Sequence, residues 1–294
     1  FRTLNAAIRM KLLGQTDNSN VYFAEGHISE FDGTLSENSV KNAAEKINSI
    51  YDKYIKSANA KVYFSVVPDK NFYLAEKNGY PALDYEKMLE IFNSNVKNME
   101  YIDIFDCLDI ESYYKTDSHW KQEKLGSVIS RLSEKMGFDA KPISEYGAEK
   151  ISEFKGVYAP RLALVDIADE IIALNSPVTQ SARVYNLETD KTTVGVYDAE
   201  KLSGYDKYEY FLSGAAAFLT VENSLATEKK ELVVFRDSFG SSLIPLMLEG
   251  YSKITVVDTR YISPQILGNY VDFTGCDVLF IYNTQILNQS NVLK

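Results

Sequence analysis

Apolar positions change their period several times along the chain, and each change marks an element. Val40, Ala43, Ala44, Ile47, Ile50, Tyr51 and Tyr54 recur at helical spacing. They follow Ser36, a residue type that caps helix N-termini, and so predict an amphipathic helix. Lys61 to Val67 is a β-branched and aromatic run stopped by Pro68-Asp69, which predicts a strand. Helices are also predicted near Asp84 to Val96 and from about Trp120 to Met136, the second turning Leu125, Val128, Ile129 and Leu132 inward. Further strands are predicted at Asn20 to Ala24, Tyr101 to Phe105, Leu232 to Phe235, Ile254 to Val257 and Val278 to Tyr282. Leu4, Ala7, Ile8 and Leu12 suggest a short opening helix.

Strands alternating with helices imply an α/β fold whose parallel sheet is covered on both faces. The rhythm breaks over residues of about 143–225, where short alternating runs such as Thr192 to Tyr197 replace long helical periods. The expectation is one α/β domain over residues 1–294 with a strand-rich or loop insertion at about 143–225. Sites in such sheets lie beyond the carboxyl ends of the strands. Asp69, the Asp117 and His119 pair, Ser238 and Asp258-Thr259-Arg260 all follow predicted strands, so all could gather at one edge.

Composition narrows the partners. With 294 residues, 45% of them hydrophobic, the chain can bury a substantial core. Its net charge of −10 argues against nucleic acid or an anionic membrane as the main partner, and fits a small or neutral polymeric substrate better. Two cysteines, Cys107 and Cys276, exclude a disulfide framework and leave open whether they pair. No run approaches the roughly 20 apolar residues that span a bilayer. The chain opens on Phe1 rather than methionine, which is compatible with a leader or membrane anchor upstream.

The chemistry concentrates in Asp117-Ser118-His119-Trp120, which holds one of only two histidines and the only tryptophan. If Lys115 to His119 is extended, Asp117 and His119 point to the same side, and the carboxylate can accept from Nδ1. That would fix the tautomer and leave Nε2 as a base. Ser238, in Arg236-Asp237-Ser238-Phe239, follows the run Glu231 to Phe235 and precedes an apolar helical pattern at Leu243, Leu246 and Met247. A serine at a strand-to-helix turn sits beside free N–H groups that would stabilise an oxyanion. Either motif alone also fits a plainer role, a surface hydrogen-bonded pair or an N-cap serine. Two histidines and two distant cysteines are too few for a histidine or thiolate zinc site, a carboxylate-rich site with Asp117 and His119 stays open, and the expectation is no metal and no other cofactor. His27 has no acidic partner at useful spacing and reads as structural or surface. Trp120 reads as core.

The run Tyr113 to Trp120 resembles the signature of the DHHW protein family, relatives of the SGNH hydrolases and of the alginate O-acetyltransferase proteins. Val67-Pro68-Asp69-Lys70, Phe154-Lys155-Gly156, Tyr208 to Gly214, Arg236 to Phe239 and Val257 to Tyr261 are similar in the same order. The resemblance implies a flavodoxin-like three-layer α/β/α parallel sheet, SGNH hydrolase-like. In it Ser238 would be the nucleophile, His119 the base and Asp117 its orienter. It also implies an exported or membrane-anchored, extracytoplasmic protein that moves acyl groups on envelope or extracellular polysaccharide, as an esterase or O-acetyltransferase. Two departures stand out: Ser118 replaces the first histidine of the pattern, and Ser213-Gly214-Ala215 replaces a Gly-Gly-Asn-like or Gly-Asp-like ending. Loss of an oxyanion donor there would cost on the order of a hundredfold in rate. Arg236, Arg260 and Gly214 are candidates for oxyanion or substrate contacts, with salt bridges of Arg236 and Arg260 to Asp237 or Asp258 as the plainer reading. The alternative function is a glycan-binding or assembly protein whose chemistry has lapsed.

Overall fold

The computed structural model describes residues 17–294 apart from 19, 32 and 163–166, so the helix expected at Leu4 to Leu12 lies outside the described residues. The described chain opens with a three-stranded antiparallel ribbon of β1 (Asp17–Asn18), β2 (Val21–Ala24) and β3 (His27–Glu30). Helix α1 (Glu37–Ile50) starts where Ser36 Oγ accepts the Ser39 N–H, and its end widens into one π-helical turn, Tyr51–Ile55. Then come β4 (Lys61–Val67), the short α2 (Lys70–Leu74) capped by Asp69, and α3 (Tyr85–Asn95) capped by Asp84.

Strand β5 is only Glu100–Tyr101. The longer strand expected there stops because the chain turns away: Asp103 Oδ1 accepts the Phe105 N–H and starts a 3-10 turn. Helix α4 covers Gly126–Met136, a turn and a half later than expected. The preceding residues are otherwise engaged, since the Gln122 side chain and Trp120 Nε1 bond to a later helix.

The second half holds the hairpin β6 (Gly147–Phe154) and β7 (Asp169–Asn175), α5 (Pro177–Ser181), β8 (Arg183–Asn186), β9 (Lys191–Val194) and β10 (Phe218–Glu222). The β-α rhythm then resumes with β11 (Glu231–Arg236), α6 (Gly240–Met247), β12 (Lys253–Val257), β13 (Asp277–Asn283) and α7 (Thr284–Asn288).

The eight-stranded main sheet runs β5-β4-β13-β11-β12-β10-β8-β9. The first five pair in parallel and the last three antiparallel, so the sheet is mixed and not parallel throughout as expected. The antiparallel strands come from residues 183–222, where short alternating runs with turns between them favour hairpins over helical crossovers.

Alternation along the central strands builds two cores. Leu279 and Ile281 of β13 face one side with Leu232 and Val234, against Val128, Ile129 and Leu132 of α4 and Leu243, Ile244 and Met247 of α6. Val278, Phe280 and Tyr282 face the other with Val233 and Phe235, against Val40, Ala44 and Ile47 of α1 and Met88, Ile91 and Phe92 of α3. Each such side chain contributes about 1.5–3 kcal/mol on burial. With both faces covered, the carboxyl edge of the parallel strands is where polar groups collect. Cys107 and Cys276 are both free thiols. No helix among the described residues is long and apolar enough to cross a membrane.

Candidate active site

Ser238 sits in the turn between β11 and α6. Asp237, one residue earlier, is buried and holds the turn from below: its Oδ1 accepts the Phe239 N–H at 2.9 Å and its Oδ2 accepts the Asn283 N–H at 2.6 Å from the end of β13. Burial raises the Asp237 carboxyl above its ordinary value, opposed by Arg260 and those two N–H groups. The β-carbon of any other residue at 240 would lie 2.8 Å from Arg236 Cβ, so only Gly240 lets α6 start this close to the strand.

Asp117 and His119 come from a different kind of structure. Residues 114–119 are a tight loop closed by the Tyr114 N–H on the His119 carbonyl, not an extended strand as expected. Carboxylate and imidazole meet because Asp117 Oδ1 folds back to accept both the His119 N–H at 3.0 Å and Nδ1 at 2.6 Å. Asp117 Oδ2 accepts the Val157 N–H at 3.0 Å. Burial pushes the Asp117 carboxyl up, but the imidazole charge and these hydrogen bonds outweigh it and hold it at about 2.

The two parts meet at His119 Nε2, which lies 2.8 Å from Ser238 Oγ. With Nδ1 donating to the Asp117 carboxylate, Nε2 carries the lone pair that accepts a hydrogen bond from the Ser238 hydroxyl. Asp117 is fully buried and His119 nearly so, while Ser238 is half-buried at a cavity of about 160 Å³. Asp69, Lys70, Asp237, Arg260 and Asn283 line that cavity with Ser238, so the ends of β4, β11, β12 and β13 do converge.

Of the three other candidates, the structure brings only Arg260 to the cavity. Its Nε and Nη2 fork onto Asp258 at 2.9 and 2.7 Å, leaving Nη1 without a hydrogen bond among the described residues. Although burial works against the charge, the Asp258 fork holds the Arg260 guanidinium above its ordinary value. Arg236 is fully buried, donates to the Gly214 and Asp237 carbonyls and pairs with Asp258 at 3.5 Å, the salt bridge of the plainer reading, and Gly214 is the acceptor of one of those bonds. Neither lines the cavity. The Arg236 expectation is corrected by geometry: a β11 side chain directed into the interior cannot reach the open side of the turn.

Sequence reasoning missed what holds the His119 loop. Asp169, at the start of β7, accepts from Lys115 N, Thr116 N and Thr116 Oγ1 at 2.5 to 2.7 Å. Lys70 is buried and donates to the Ile28, Tyr114 and Lys115 carbonyls. Burial pulls its ammonium down to about 7, against the charges of Asp117 and Asp169. Gly156 packs so closely that a β-carbon there would lie 2.4 Å from Asp117 Cβ. Asp169 carries no motif and lies far along the chain, so no local signal could have found it. Lys70 and Gly156 stand inside short runs that the family resemblance marks. His27 is fully buried, with Nδ1 3.1 Å from the Glu25 carbonyl oxygen. Trp120 is fully buried, as expected.

Comparison with known proteins agrees with the layout. The family described as DHHW protein matches residues 22–257. Among solved structures, a DHHW family protein from Eubacterium siraeum superposes with a TM-score of 0.74 at 21% identity, over 93% of this chain and 95% of that one. Bacillus cereus PatB1, solved with a sulfonyl adduct, gives 0.68 at 15%, over 91% and 97%. The O-acetyltransferase domain of Pseudomonas putida AlgJ gives 0.54 at 12%, over 92% of each chain. No curated protein matches the sequence. At these identities the solved structures establish a shared fold, and the match across most of the length establishes more: the chain belongs to the DHHW family.

Proposed function

We propose that this protein is a serine-dependent acyl-ester hydrolase or O-acetyltransferase acting on an extracytoplasmic polysaccharide. The observation that carries the reading is the connected chain Asp117–His119–Ser238, with hydrogen bonds of 2.6 and 2.8 Å, ending in a half-buried hydroxyl at a cavity. His119 Nε2 takes the Ser238 proton as Oγ attacks the acyl carbonyl carbon, and Asp117 steadies the imidazolium. The Phe239, Gly240 and Ser241 N–H groups are already given to Asp237 Oδ1 and to the Asp237 and Ser238 carbonyls, so the tetrahedral oxyanion is held by the Ser238 N–H and by the uncommitted Nη1 of Arg260. As the C–O bond breaks, His119 returns the proton to the departing alkoxide, leaving an acyl-serine. Water or a sugar hydroxyl then gives its proton to His119 and takes the acyl group, and His119 passes that proton to Ser238 Oγ as the acyl–Oγ bond breaks.

Two likenesses support this reading: AlgJ is described as having an O-acetyltransferase domain, and PatB1 accommodates a sulfonyl adduct. The strand order supports the implied flavodoxin-like arrangement in permuted form. Counted from β11 through β12 and β13 and on to β4 and β5, the parallel strands lie in the order 2-1-3-4-5. We take residues 1–294 to act as one domain, exported or anchored, with a glycan or small acylated substrate and no metal.

The test is hydrolysis of a chromogenic acetyl ester and acetyl transfer to oligosaccharides. Ser238→Ala and His119→Ala should each lower either activity by about 10³-fold or more. Equal activity in the alanine variants removes the triad. Saccharide binding by a wild type that releases and transfers no acetyl group supports the lapsed, glycan-binding alternative instead.

A further inference from the structure

The bond to Cβ and the hydrogen bond from Nδ1 to Asp117 hold one edge of the His119 ring and leave its plane able to tilt about that edge. A second restraint is needed to place Nε2. Tyr208 lies flat on the imidazole, with centroids 3.8 Å apart and planes 7° from parallel. Phe239, the residue after Ser238, leans against the same ring at 4.9 Å.

The Tyr208 hydroxyl shares a 2.8 Å hydrogen bond with Ser242 Oγ on α6, the helix that starts just after Ser238. Trp120, the residue after His119, donates Nε1 to the same Ser242 Oγ and to the Phe239 carbonyl, both at 3.0 Å. Tyr208, Trp120 and Ser242 are all buried. Filling space would need neither a coplanar ring nor a phenol. A phenol anchored to the helix behind the serine does something packing alone does not: it refers the plane of the imidazole to the position of Ser238.

We infer that Tyr208 is a positioning residue, whose ring sets the plane of His119 and whose hydroxyl, through Ser242, ties that plane to the helix behind Ser238. The inference rests on the proposed pairing of His119 with Ser238. Misplacing a catalytic group by about 1 Å costs on the order of 10²-fold in rate, which sets the scale of the effect.

The experiment compares Tyr208→Leu, Tyr208→Phe and Ser242→Ala by p-nitrophenyl acetate hydrolysis and by NMR of the ¹⁵N-histidine-labelled protein. With only two histidines in the chain, the ring resonances of His119 are assignable. Tyr208→Leu should lower kcat on the order of 10- to 100-fold with KM within about twofold, and broaden the downfield Nδ1–H signal of His119. Tyr208→Phe keeps the stack, so it should retain that signal and lose only about threefold in kcat. Ser242→Ala should fall between them. A sharp signal and full kcat in Tyr208→Leu overturns the inference, and full kcat in both Tyr208→Phe and Ser242→Ala overturns the part assigned to the hydroxyl. If the wild type cleaves no ester, the serine reading fails, and the NMR comparison still decides on Tyr208: signal lost in Leu but kept in Phe supports it, signal kept in both overturns it. Should Tyr208→Leu fail to fold, an unchanged signal in Ser242→Ala is the overturning result.

Discussion

The two halves of the site are held by opposite means. Ser238 is placed by regular structure: the parallel strand β11 between β12 and β13, and an apolar helix packed directly behind it. Asp117 and His119 sit in an irregular loop whose backbone is held by single side chains from far away, chiefly Asp169 and Lys70, and by the close approach of Gly156. Repeated, interchangeable apolar contacts set the strand and helix that flank Ser238, with Asp237 and Gly240 fixing only the turn between them. A few non-interchangeable polar ones set the whole His119 loop. Damage to the first half should therefore cost stability, and damage to the second should cost chemistry.

Among changes outside the Asp117–His119–Ser238 chain, Gly156→Ala should have the largest effect. Its β-carbon would lie 2.4 Å from Asp117 Cβ and 2.6 Å from the Thr116 carbonyl oxygen, and both belong to the loop. Esterase activity per folded molecule should fall on the order of 10²-fold. Unfolding free energy should fall by roughly 1–3 kcal/mol. A variant with unchanged kcat would mean that the loop yields freely, and the contrast between the halves would collapse.

Leu279→Ala makes the converse cut in the fully buried middle of β13. Denaturant unfolding should show a loss of about 2–5 kcal/mol. Activity per folded molecule should stay within about twofold, because the cavity opens away from the reacting groups. A large kcat loss at unchanged fold would show that the sheet does more than support.

The smallest effect sharpens the comparison through pH. Burial raises the Asp117 carboxyl, but His119 and Val157 hold it at about 2, below its ordinary 3.8. Since the folded value lies below the unfolded one, its stabilisation is complete above about pH 4 and is lost as pH falls through about 2. The gap corresponds to roughly 2 kcal/mol. Urea unfolding of the wild type and Asp117→Asn should differ by about that much at pH 5, with the difference shrinking toward pH 2. A constant difference across that range would contradict the assigned ionisation.

The same division decides how much the sequence discloses. Strands β4, β11, β12 and β13 begin and end within a residue or so of the runs read from alternation, and Ser36 and Asp84 cap the helices they precede. Periodicity is a local signal, and these elements obey local rules. Lys115 to His119 fails as an extended segment because its conformation is dictated by Asp169 and by the Asp117 carboxylate turning back on its own chain. The Asp-x-His spacing was legible even so, since a carboxylate two residues from an imidazole reaches it in a turn as well as on a strand. The sequence leaves Arg236 open between an oxyanion contact and a salt bridge, because proximity to Ser238 says nothing of which face of the strand a side chain takes; the structure has the salt bridge, to Asp258, with the guanidinium buried on the Gly214 carbonyl. Tyr208 carried a clue only as part of a family-like run, and its stacking on His119 is visible only in three dimensions.

The most direct test of the central claim is mass spectrometry of the intact and digested protein after treatment with an aromatic sulfonyl fluoride. An activated serine should give one sulfonyl adduct, on the peptide that contains Ser238. Ser238→Ala should abolish labelling, and His119→Ala should slow it by about a hundredfold or more, as loss of a general base requires. No adduct on Ser238, or labelling of that residue at an equal rate without His119, would contradict the account.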